Sequence, residues 1–301
     1  MKFLLFSDIH HYPGVFTDNT WEGLRAIQNR AEKENCEFII HAGYLCHGPS
    51  LVPDYVKAYN DFHIPSYHCL GNHDSDSTPY EETLKYYNMP NGYYFFDQGG
   101  YRMIMLNPNY YYVDGEYHVY SMGNYYANGE YRDYVPPEQL KWLEETIASA
   151  PGPCILISHE SFERPDGVKN REEVLKIINE ANARKLHSVL MCINGHHHRD
   201  FIRILDNVCY FEINSASYDW LDLAHNCYPE EKCKEIRHLN HILAYSDPIF
   251  CVVTIEGTSI RIDGMKSSLY MGVTVEMTGN ATFDLAGRRA TPEIQSATIT
   301  L

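Results

Sequence analysis

The chain has 301 residues, 44% of them hydrophobic and 21% charged, and a formal net charge of −16. That length supports one large core or two small ones, and the ordinary composition excludes disorder and collagen-like repeats. So acidic a surface repels nucleic-acid phosphates and argues against action on long duplexes, although a local basic pocket could still hold a small phosphate. No apolar run approaches the roughly 20 residues that span a bilayer, so no membrane partner is expected. Residues 1–6 run straight into Asp8-Ile9-His10, leaving no room for a signal peptide. They read as a first strand, and the protein reads as intracellular and cytoplasmic. The nine cysteines are irregularly spaced, and Cys154, Cys192, Cys209 and Cys251 sit in apolar runs, which favours a reducing compartment. The sixteen histidines are clustered, the first sign of metal chemistry.

In chain order, residues 2–7 read as a buried strand. Residues 21–35 place Leu24, Ile27 and Ala31 at helical spacing, with Asp18 or Asn19 as a cap. Residues 37–42 form the next strand, 52–62 a helix, 66–70 a strand and 79–87 a short helix. Residues 93–96 and 101–107 alternate around Gly99-Gly100 and read as a hairpin. Residues 136–150 open with proline and carry Leu140, Leu143 and Ile147 on one face of a helix. A strand at 154–158, a helix at 171–184 and a strand at 189–194 complete the alternation. Strands then follow at 201–205, 208–213, 250–255 and 259–262, and the last thirty residues are expected to be β. No repeat or linker demands a boundary. The expectation is a single domain over 1–301, with the chemistry in 1–200 and a β-rich part in 201–301. Two stretches interrupt the pattern, the Tyr-rich 109–134 and the Cys- and His-bearing 220–241.

Five short segments stand out, most of them just after a strand. They are Asp8-Ile9-His10, Gly43-Tyr44-Leu45-Cys46-His47, Gly71-Asn72-His73-Asp74, Ser158-His159 and Gly195-His196-His197-His198. Strand ends converge on one crevice, where ligands gather. Oxygen donors mixed with imidazoles suit Mn, Fe or Zn. Two such ions about 3.5–4 Å apart clamp the attacking and leaving oxygens of phosphoryl transfer and acidify bound water to a pKa of roughly 7. Singly each segment is weak. Together and in this order they resemble the calcineurin-like metallophosphoesterase superfamily, whose pattern is Asp-x-His, Gly-Asp, Gly-Asn-His-Asp/Glu, a lone His and Gly-His-x-His. The resemblance covers about residues 1–200, and Glu138-Gln139-Leu140-Lys141-Trp142-Leu143 is similar to a helix of its phosphodiesterase-like branches.

The resemblance implies an α/β fold, a four-layer α/β/β/α sandwich of two mixed sheets, and hydrolysis of a small-molecule phosphomonoester or phosphodiester. It implies that Asp8, His10 and His198 hold one metal and that Asn72, His159 and His196 hold the other. His73 would protonate the leaving oxygen, with Asp74 orienting it. His197 would point away, and His11 and His47 would be exposed or outside the ligand shell. Arg164 and Arg199 are candidate substrate contacts, set against a solvent-exposed default. The stretch 109–134 reads equally as a stacking wall for an aryl or nucleoside phosphate and as a surface loop. His225, Cys227, Cys233, His238 and His241 match no zinc module and read as a capping loop.

One position departs from the pattern. Where the superfamily has an aspartate bridging both metals, this chain has Tyr44. With reference pKa values near 10 for Tyr and 3.9 for Asp, a phenolate at pH 7 costs about 4 kcal/mol. The expectation is a lost bridge and reduced metal occupancy. The alternatives are a phenolate ligand in an altered site, or a catalytically silent metal- or phosphate-binding protein.

Overall fold

The computed structural model describes residues 1–279, 284 and 287–301. Successive side chains of a strand point to opposite faces, and this divides the core. From the first strand, Lys2–Phe6, Phe3 and Leu5 join one apolar cluster, together with Phe38 and Ile40. Leu4 and Phe6 join a second, with Leu24, Ile27 and Ala31 of the helix Thr17–Lys33 and Tyr55, Val56 and Tyr59 of the helix Pro53–Asn60. Met103, Met105, Ile155 and Ile157 share the first cluster from the opposite side. Their neighbours Ile104 and Leu156 instead meet Leu140, Leu143 and Ile147 of the helix Pro137–Ala148 and Val174 and Ile178 of the helix Arg171–Arg184. The order is helices, sheet, sheet, helices, as the resemblance implies.

Among the described residues each main sheet has six strands. In the first, Lys2–Phe6, Phe38–His41 and Ser66–His68 run parallel. Cys251–Glu256, Ser259–Asp263 and Ala297–Thr300 extend it antiparallel from the far side of Lys2–Phe6. In the second, Tyr101–Met105, Cys154–Ile157, Val189–Asn194 and Val208–Glu212 run parallel. Tyr94–Gln98 and Phe201–Leu205 flank them antiparallel. The hairpin at Gly99-Gly100 forms, with Gln98 facing Tyr101. Parallel strands place their C-terminal ends on one edge, and the five segments emerge there.

Three expectations change. The first helix starts at Thr17, with Asp18 inside its first turn, and Phe16 occupies the cap position at φ 49. The stretch 109–134 contains an antiparallel hairpin, Tyr110–Val113 with Glu116–Val119, and a short 3-10 turn, Asn124–Asn128. The last thirty residues are not all β. Glu293–Ile294 and Ala297–Thr300 are strands, but Val275–Thr278 is helical because the Thr274 hydroxyl caps it, accepting from the Met277 amide at 3.2 Å. Residues 280–283 and 285–286, also expected to be β, lie outside the described residues. Among the described residues no helix is long and apolar enough to cross a membrane.

Candidate metal centre

The loop after Lys2–Phe6 carries Asp8 and His10 into the edge between the sheets. Both are fully buried. Asp8 Oδ2 accepts from Ser7 Oγ at 2.6 Å and from the His196 amide at 3.0 Å. Asp8 Oδ1 has no hydrogen-bond partner. Three imidazole nitrogens face it: His198 Nε2 at 3.3 Å, His159 Nε2 at 3.5 Å and His10 Nε2 at 3.6 Å. Burial opposes the Asp8 charge, but His159 and His198 overcome it and hold the carboxyl well below its usual range. His10 and His198 meet through their Nε2 atoms at 3.1 Å. Burial lowers His10 to about 3. Burial also acts against His198, but Asp8 and Asp219 raise it to about 9.

The other motif donors close the second side. His159 Nδ1 lies 2.9 Å from the Ala42 carbonyl, which fixes the tautomer and leaves Nε2 buried and unpartnered. Asn72 Oδ1 is also buried without a partner. Asp8, His10 and His198 form one trio with donor atoms within 4.8 Å, and His159, Glu160 and His196 form another. Unpartnered carboxylate, amide and imidazole donors at full burial are costly unless a cation meets them, so the residues present fit the metals the resemblance implies. His198 Nδ1 bonds Asp219 Oδ1 at 2.9 Å, a carboxylate that orients the ring as outer carboxylates do at metal sites. Asp8, Tyr44, His10, His196 and His198 all have φ between 51 and 66. Such strain, of order 1–3 kcal/mol each, persists only where the surroundings fix it and clusters at functional sites. Gly43 is at φ 104, and a Cβ there would run into the His159 ring. A Cβ at Gly195 would run into Ser7 and Asp8. Asp8, Asn72, His73, His196 and His198 open onto a cavity of about 660 Å³.

A sequence model of calcineurin-like phosphoesterases matches residues 1–200. The chain belongs to the calcineurin-like phosphoesterase family. The family name denotes hydrolysis of phosphate esters, and many of its members use divalent metal ions. No curated protein matches the chain. Solved structures agree in fold. A dimetal phosphatase from Danio rerio is 13% identical, with a TM-score of 0.64 over 100% of this chain and 98% of that one. GAP50, described as the anchor in the inner membrane complex of Plasmodium, is 13% identical, with a TM-score of 0.53 over 91% and 86%.

In this phosphoesterase Tyr44 stands inside the site, 2% exposed. Its ring lies 4.3 Å from that of His10 and 4.5 Å from that of His73. Burial pushes the phenol well above its usual value, so it stays neutral and its hydroxyl donates to His47 Nε2. The tyrosine oxygen is thus committed to His47.

His73 lines the cavity, but Asp74 does not orient it. Asp74 is consumed by the loops: it accepts from the amides of Gly71 (2.7 Å), Tyr44 (3.0 Å), Leu45 (2.9 Å) and Cys46 (3.3 Å) and from the Tyr87 hydroxyl (2.7 Å). The carboxylate at His73 Nδ1 is Asp76, at 2.7 Å. The Tyr125 and Tyr126 hydroxyls donate to Asp76 at 2.9 and 2.8 Å. Burial opposes the Asp76 charge, but His47 and His73 hold its carboxyl well below the usual range. The Tyr-rich stretch therefore reaches the site through two hydroxyls. His47, His73 and Asp76 lie together, but His47 Nε2 is taken by the Tyr44 hydroxyl and His73 Nδ1 by Asp76.

Neither arginine is exposed. Arg164 is 1% exposed and gripped by Asp166 at 2.8 and 2.7 Å, Asp284 at 2.5 Å and Glu212 at 3.3 Å. Arg199 pairs with Asp219 at 2.8 Å and keeps a buried, unpartnered Nε. Both line the cavity, as does His197, which stands beside Asp166 and does not turn away. His11 is a core residue, stacked on Tyr55 at 3.7 Å and bonded to Thr20. The residues at 225–241 do not assemble a metal trio among the described residues, and His225 and Cys227 bond backbone carbonyls. Glu160, Asp76 and Asp219 were missed by sequence reasoning. Their one signal is adjacency, Glu160 to His159 and Asp76 to the Asn72–Asp74 motif.

Proposed function

We propose that the chain hydrolyses a small-molecule phosphomonoester or phosphodiester at a two-metal centre whose bridge is lost at Tyr44. Asp8 Oδ1 carries this reading: a buried carboxylate oxygen with no hydrogen-bond partner, ringed by three imidazole nitrogens, is a cation site. Asp8, His10 and His198 would hold one ion. Asn72, His159 and His196 would hold the other, with Mn, Fe or Zn matching these donors. When bound, the ions polarise the phosphoryl oxygens and acidify a water. The remaining work falls to side chains. His73 is held at Nδ1 by Asp76, which leaves Nε2 towards the cavity to protonate the departing oxygen. Tyr125 and Tyr126 keep Asp76 in place. Arg199, which lines the cavity, is the arginine offered to a phosphate oxygen, while Arg164 braces the wall. The net charge of −16 disfavours long nucleic acids. Nine free thiols support a reducing, cytoplasmic setting.

A silent metal- or phosphate-binding role is the second reading. It is favoured by Tyr44, whose neutral hydroxyl is committed to His47. Metals per chain and turnover of mono- and bis-aryl phosphates with added manganese should be measured for the parent and for Tyr44→Asp. The variant is expected to hold more metal and to turn over at least about tenfold faster, as for regained transition-state charge stabilisation of 1.4 kcal/mol or more. Equal metal content and equal rates overturn Tyr44 as a handicap. Absence of hydrolysis in both supports the silent binder.

A further inference from the structure

The second half-site has a charge problem. Asn72, His159 and His196 are neutral donors. The anionic ligand that the superfamily pattern shares between the metals is absent, since Tyr44 stands there as a neutral phenol. A divalent ion held by neutral groups alone in a buried site keeps its full charge in a poor dielectric.

Directly after His159 stands Glu160. It is 0% exposed, and both carboxylate oxygens are buried without a hydrogen-bond partner. One of them lies within 4.8 Å of the donor atoms of His159 and His196. Among the described residues no arginine or lysine forms an ion pair with it, and Arg132, whose charge acts on it, pairs with Asp133 at 3.5 Å. Asp133 in turn accepts from the Tyr120 hydroxyl at 2.8 Å. A fully buried carboxylate with neither hydrogen bond nor counter-ion is one of the most expensive groups a core can hold. The superfamily pattern gives the position no role.

We propose that Glu160 is a ligand of the second metal, supplying there the negative charge that Tyr44 withdrew from the bridging position. This rests on reading the edge as a two-metal centre. The donors of that half-site become Asn72, His159, His196 and Glu160, three neutral and one anionic. The Asp8 half then holds the other anionic donor, and each ion has a carboxylate of its own in place of a shared one.

Mn²⁺ titration of the full chain tests it, with free Mn²⁺ counted by electron paramagnetic resonance and metal-free thermal unfolding followed in parallel. Glu160→Gln is expected to weaken the weaker Mn²⁺ equivalent by roughly 100-fold or more, beyond the 10–100-fold typical of residues that only orient a ligand. The tighter equivalent should be unchanged. The metal-free Tm should be equal to or above the parent's, because the amide has nearly the shape of a buried carboxyl that has no hydrogen-bond partner to lose. Glu160→Asp, which keeps the charge one methylene short, should bind between the two. If Glu160→Gln takes up Mn²⁺ as the parent does, Glu160 is not a ligand. A lowered metal-free Tm with both equivalents weakened alike also overturns the proposal, since Glu160 would then serve the fold. No uptake by the parent itself brings down the two-metal reading, and the role of Glu160 with it.

Discussion

The two halves of the centre differ in charge. Around Asp8 the motif donors are a carboxylate and two imidazoles; around Asn72 they are an amide and two imidazoles. A shared aspartate hides this asymmetry by giving each ion part of its charge. With Tyr44 in its place, the Asp8 half keeps an anion at its centre and the Asn72 half has none among its motif residues. In the proposed centre, one substitution at a shared ligand would divide a matched pair into a stronger and a weaker site.

The largest effect should come from Asp8, whose Oδ1 also lies 3.5 Å from His159 of the other half. Asp8→Asn is expected to lose both Mn²⁺ equivalents and to lower kcat/KM by more than about 1000-fold, well past the 10–100-fold of an outer-shell loss. Retention of one equivalent at parental affinity would show that the halves are independent. Next comes His73, which stands apart from both donor trios. His73→Ala should leave metal content unchanged and lower kcat by about 10²–10⁴-fold on esters with poor leaving groups. The loss should shrink on aryl phosphates, whose leaving groups need no proton, and an equal loss on both substrate types would remove His73 as the acid. Tyr126→Phe is the mildest. It removes one hydroxyl from Asp76 and should cost about 0.5–1.5 kcal/mol, at most roughly tenfold in kcat/KM with metal binding intact. A change in Mn²⁺ affinity there would join the Tyr-rich stretch to the metal half-sites.

Much of this was readable in one dimension. The alternation of Phe3, Leu4, Leu5 and Phe6 encodes a strand buried on both faces, and Leu140, Leu143 and Ile147 encode a helix with one buried stripe. The six candidate donors stood out because each lies within a few residues of a strand end. Orientation was not. Two carboxylates follow His73 closely, and their spacing does not say which one meets its ring; the turn sends Asp74 into the backbone amides and Asp76 to Nδ1. Arg164 read as exposed because, apart from the adjacent Asp166, its partners are remote, Glu212 lying 48 positions away and Asp284 120. Tyr125 and Tyr126 could not be linked to a histidine some fifty positions earlier.

The sequence by itself determined the family and the strand and helix periods, and it offered the candidate donors and Tyr44 at the place of a bridging carboxylate. These depend on residue type and on spacing over a few positions, where backbone geometry is fixed. Only the tertiary structure decided that the Tyr44 hydroxyl turns to His47, that Asp76 holds His73, and that Glu160 is buried beside two imidazoles with no partner of its own. Those outcomes depend on which distant segments share a dry interior, where every charge must find a counter-charge, and no local pattern records that.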